Sequence, residues 1–135
     1  MISPHATGAS VTHDGTRDRG AVDVSLEMLF GTVAVLMALL LVFETAAYWH
    51  ARNVFDDAAS DGARIAAAFD GSCADGVAAA RAAISRHAGS WANEVEISCI
   101  DAPLVVVTVT GRTPGVAGDA VGLRASVAES APRER

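Results

Sequence analysis

From Met28 to Phe43 the chain reads MLFGTVAVLMALLLVF, sixteen residues without a charge. A bilayer core asks for about 20 apolar residues in a helix. The flanks supply the rest: Ala21 and Val22 precede the run, and Thr45, Ala46, Ala47, Tyr48 and Trp49 follow it, with Asp23, Glu27 and Glu44 interspersed. Tyr48 and Trp49 fall where an interfacial aromatic belt belongs. A buried helix of a soluble core is the alternative, but such helices carry apolar stretches of about 10–14 residues. The expectation is one membrane-spanning helix. It is not a cleaved secretory signal, because the segment ahead of it is long and holds Asp14, Asp18 and Asp23, whereas a signal peptide begins short and positive. Arg17 and Arg19 on one side balance Arg52 and Arg64 on the other, so the positive-inside count leaves orientation open.

The remaining composition narrows the partners. The net charge is −6 and the pI near 5.0. That argues against nucleic acid, whose binders are basic, and against a polybasic membrane-surface segment. The GxSxG, P-loop, GxGxxG and HExxH patterns do not occur, and the histidines His5, His13, His50 and His87 are scattered, so neither an enzyme nor a metal or cofactor site is expected.

Residues 1–20 are polar and aperiodic and read as a leader. A helix is expected over 21–70, with no proline to break it. Beyond Trp49 it turns amphipathic, with Val54, Phe55, Ala58, Ile65, Ala66 and Phe69 as apolar positions and Arg52, Asp56, Asp57, Asp61 and Arg64 toward water. Asp70-Gly71 supplies a stop. Residues 71–135 form a small α+β head. Ser72 caps a second helix with Asp75 three residues on, and Val77, Ala80, Ile84, Ala88 and Trp91 mark its apolar stripe. Three antiparallel strands are expected: Glu94 to Ile100, with Val95, Ile97 and Cys99 on one face; Leu104 to Thr110, LVVVTVT, the densest β-branched stretch; and a weaker one over Leu123 to Val127. Gly111 to Gly122 reads as a loop and the tail ESAPRER as frayed.

An ordered set of residues carries a family resemblance. Arg19-Gly20 precedes short apolar residues and an early acid. The apolar run ends in Glu44. Then come Tyr48-Trp49-His50-Ala51-Arg52-Asn53 and Asp61-Gly62-Ala63-Arg64. From Arg19 to Arg64 the chain resembles the TadE-like family of minor pilins and pseudopilins of the tight-adherence (Flp, type IVc) pilus, in its actinobacterial form. The resemblance implies a structural protein of pilus assembly or priming. Its partners would be membrane lipid, other pilins, inner-membrane platform proteins and a prepilin-type peptidase, and no cofactor. Carried over by position, cleavage would fall between Gly20 and Ala21. The leader would stay cytoplasmic and the head would lie outside, in the membrane or in a surface pilus.

The family's Glu at the fifth position after the cut is replaced here by Ser25. Glu27 follows two residues later, displaced by about 200° and 3 Å on a helix, and Asp23 comes two residues early. Glu44 is either a contact to a partner helix or an acid marking the membrane exit. The departure at Ser25 leaves a second reading, an uncleaved signal-anchored module of binding or accessory type. In an extracytoplasmic head, Cys73 and Cys99 are expected to form a disulfide; the alternative is two buried free thiols.

Overall fold

The structure, a computed structural model, describes the backbone of residues 16–134 and the side chains of residues 24–134 except Asp119. The element order is α1 (Thr16–Ala67), α2 (Cys73–His87), a 3-10 turn (Gly89–Trp91), β1 (Val95–Ile100), β2 (Leu104–Arg112), α3 (Val116–Val121) and β3 (Arg124–Pro132). This is the expected α+β architecture: a long apolar helix, a short second helix and a three-stranded antiparallel sheet. The residues fall into two units, one ending at Ala38 and the other beginning at Leu39.

Helix α1 begins at Thr16, ahead of the expected Ala21, and ends at Ala67. No proline lies within it, and the single backbone penalty near its start, Gly20, is one a helix tolerates at about 1 kcal/mol. Residues 1–15 of the expected leader lie outside the described residues. From Val24 to Phe43 every side chain is exposed, on all sides of the helix.

From Ala51 onward α1 becomes the floor of the head. Ala51, Val54, Phe55, Ala58, Ala59, Ala63, Ala66 and Ala67 are buried. The expected apolar positions Ile65 and Phe69 are instead exposed, at 46% and 71%. Around Gly62 the buried residues are small, because α2 lies close there. A Cβ on Gly62 would stand 2.8 Å from the Gly76 carbonyl oxygen and 3.1 Å from the Ala80 Cβ, and a Cβ on Gly76 would stand 2.6 Å from the Gly62 oxygen. The two backbones touch at this glycine pair.

Helix α2 starts as its sequence dictates. The Asp75 N–H donates to Ser72 Oγ (3.2 Å) and the Ser72 N–H donates to Asp75 Oδ2 (3.1 Å), a complete capping box. Gly76, Ala80, Ala83 and Ile84 face the core.

The sheet is a meander, β1-β2-β3, antiparallel throughout. In the register, Cys99 opposes Val107, and Val109 opposes Ile97 on one side and Val127 on the other. Period-two alternation sends Val105, Val107 and Val109 of the central strand fully into the core. The Phe55 ring sits against Gly111, where a Cβ would come within 2.8 Å of its Cζ, and lies 5.8 Å from the Trp91 ring centroid.

Two expectations on the C-terminal side are corrected. The stretch Gly111 to Gly122 is not all loop: β2 continues to Arg112, and Val116–Val121 forms α3. Nor is the tail frayed. Strand β3 runs to Pro132, pairing Ala131 with Val105 and Pro132 with Leu104. Beyond it the Glu134 N–H donates to the Ala67 carbonyl (2.8 Å), and Arg133 donates to Asp101 Oδ1 (2.6 Å) and to the Gly71 carbonyl (3.3 Å). Polar composition conceals a strand whose inward residues are small and whose outward ones face water.

Candidate functional site

From Val24 to Phe43, α1 presents apolar residues on every side. Over eighteen residues its mean hydropathy reaches 2.4, and none of that window is buried. A helix hydrophobic all round finds its partner in lipid or in other helices. It is long and apolar enough to cross a membrane as a single pass. Two threonine hydroxyls of α1 are satisfied within the helix. Thr32 Oγ1 donates to the Met28 carbonyl (2.8 Å), and Thr45 Oγ1 donates to the Leu41 carbonyl (2.7 Å). Such back-bonding keeps a polar atom compatible with an apolar surrounding.

The acidic candidates separate. Glu27 is exposed and shares a helix face with Val24, Met28 and Gly31. A carboxylate on an otherwise apolar helix is a costly feature that marks a contact or a function. The backbone of Gly20, Ala21 and Asp23 lies within α1; the side chains of Ala21 and Asp23 lie outside the described residues.

Glu44 is drawn into the head instead. Its Oε1 accepts the Val116 N–H at 2.6 Å, where the backbone enters α3. Its other oxygen lies over Gly115, so close that a Cβ there would stand 2.6 Å from Oε2. Gly115 adopts φ 111°, in the region that favours glycine. A carboxylate at the first turn of a helix faces N–H groups that have no partner in the helix itself. The acid at the end of the apolar run is therefore held by the connection between β2 and β3. Nothing local in the sequence signals a contact across 72 residues; Pro114-Gly115 ahead of a short apolar stretch is the nearest hint.

The aromatic pair also divides. Trp49 is 58% exposed, whereas Tyr48 packs against the head's core. His50 stands 6.3 Å from Trp91, ring to ring.

Cys73 and Cys99 are joined as a disulfide with Cα atoms 5.6 Å apart, inside the span such a bridge requires. It ties the first residue of α2 to the core face of β1. Among the described residues no group of three His, Cys, Asp or Glu side chains is placed to hold a metal. The concave surfaces of the head are open grooves. One, at the end of α1, is lined by Ile65, Phe69 and Pro132 with Asp61, Asp70 and Glu134 around them.

The family model described as TadE-like protein matches residues 24–64. That segment takes in the apolar run, Glu27, Glu44 and the part of α1 that carries Phe55 and Gly62. No curated protein and no solved structure matches the chain.

Proposed function

We propose, from the match of residues 24–64 to the TadE-like family model, that this chain is a minor pilin or pseudopilin of a Tad (type IVc) pilus, acting structurally in assembly or priming. One observation carries the reading. A single helix, α1, is apolar and exposed from Val24 to Phe43 and forms the floor of a disulfide-closed head from Ala51 onward. Such a helix can wait in a membrane and pass into a bundle of like helices while the head stays folded.

In this reading α1 crosses the cytoplasmic membrane once, with residues 1–20 inside and the head, 71–135, outside. The Cys73–Cys99 bridge suits that oxidising side. The partners are other pilins and the inner-membrane platform proteins, and the role is not catalytic. A prepilin-type peptidase would cut between Gly20 and Ala21. Glu27 would serve as the acid that meets a neighbour, since Glu44 is held by α3.

Ser25 favours a second reading, in which the chain is never cut and serves as a fixed, signal-anchored accessory of assembly. Deletion of the gene in its native cell tests what both readings share. Surface filaments should be lost and should return with the wild-type chain. Filaments of unchanged number and length would contradict a role in assembly.

A further inference from the structure

The connection between β2 and β3 is a closed excursion with an apolar outer surface. Its neck is pinned: the Thr113 N–H donates to the Leu123 carbonyl (3.0 Å), and Thr113, buried to 4% exposure, also donates its hydroxyl to that oxygen (3.3 Å). Within it, Gly115 and Gly122 take positive φ values of 111° and 71° and close the ends of α3. Val116, Val121 and Leu123 stand outward, 64%, 77% and 41% exposed. A stretch this apolar, held in place rather than loose, calls for a cover.

Its location says what the cover is. The Val116 N–H is bonded to Glu44, the residue that follows the last one of the uncharged run. The first turn of α3 thus lies within one side chain's reach of the point where α1 would leave the bilayer. At the neck, Arg112 and Arg124 stand opposite each other in the β2–β3 register, and Arg112 is paired with Glu94, Nε to Oε2 at 3.1 Å. Arginines behind an apolar tip, with Arg124 available to an anionic headgroup, fit the usual pattern of interfacial elements: apolar side chains about 5–10 Å deep, with arginines at headgroup level.

We propose that the α3 connection is a second membrane contact, seated in the headgroup region of an anionic bilayer beside α1. The contact fixes the head against the membrane while the chain resides there. It also shields the Glu44 carboxylate from lipid. Entry into a filament would have to break it. The inference rests on α1 spanning the membrane.

The test uses the full chain in vesicles of phosphatidylcholine and phosphatidylglycerol containing a lipid with a shallow nitroxide. An environment-sensitive fluorophore is placed at Val121→Cys, with Leu41→Cys as the marker of the span and Ser130→Cys as the marker of water; the native cysteines stay paired. The expected result is quenching at positions 41 and 121 and none at 130, with Arg124→Gln or removal of phosphatidylglycerol weakening the signal at 121. Quenching at 41 with a water-like signal at 121 overturns the proposal. So does a blue-shifted signal at 121 that nitroxide lipid leaves untouched, which would mean a second protein copy covers the tip. Absence of quenching at 41 as well would overturn the span itself, and this contact with it.

Discussion

Gly62 and Gly76 set how closely α1 and α2 approach, and their missing side chains are the reason both helices can share one face of a small sheet. Gly62→Ala would place a methyl group 2.8 Å from a carbonyl oxygen that has no room to yield. Overpacking of this kind costs about 1–3 kcal/mol. The variant should unfold at correspondingly lower denaturant with an unchanged slope; wild-type stability would contradict the close crossing. Glu44 acts at the same scale. Glu44→Ala removes the acceptor at Val116, a contact worth about 1 kcal/mol where it is partly open to water. Hydrogen exchange at the Val116 amide should quicken while amides of Val105, Val107 and Val109 keep their protection. Equal exchange at Val116 in both proteins would show that the carboxylate does not hold α3.

Among the elements, the disulfide joins the start of α2 to β1 across a separation of 26 residues. In the chain-entropy account a loop of that length contributes about 3 kcal/mol by restricting the unfolded chain. The double variant Cys73→Ser/Cys99→Ser should lower the head's stability by about that amount and leave the helicity of α1 intact; an undiminished melting temperature would contradict the role. Local signals made much of this legible. Seven residues of LVVVTVT specify the central strand, Ser72 and Asp75 specify the cap, and the uncharged run specifies the exposed half of α1. What escaped were contacts between distant segments. Ile65 and Phe69 look like core residues, but Ile65 is exposed and Phe69 falls beyond the end of α1 at Ala67. The tail looks frayed because its pairing with Leu104 and Val105 and the reach of Arg133 to Asp101 have no local signature. Likewise the hold of Val116 on Glu44 spans the whole head, so the acid's place could be read as a membrane exit or a partner contact but not as this one.

At the scale of the whole molecule, two kinds of surface share one helix. An all-apolar helix is stable only where lipid or other helices cover it, while the head satisfies its own core around Phe55, Val107 and Val109. The match to the TadE-like proteins covers the helix and stops at residue 64, before α2, the disulfide and the sheet. The head is therefore where this chain's individual contacts are to be sought. The central claim is that the chain is processed as a prepilin and held in the membrane by α1. It is tested most directly by the N-terminal sequence and intact mass of the protein taken from native membranes without reductant. The account predicts a chain beginning at Ala21 with Cys73 and Cys99 oxidised. A mature chain that retains Gly20 and the residues before it would contradict prepilin processing and leave the uncleaved accessory in its place.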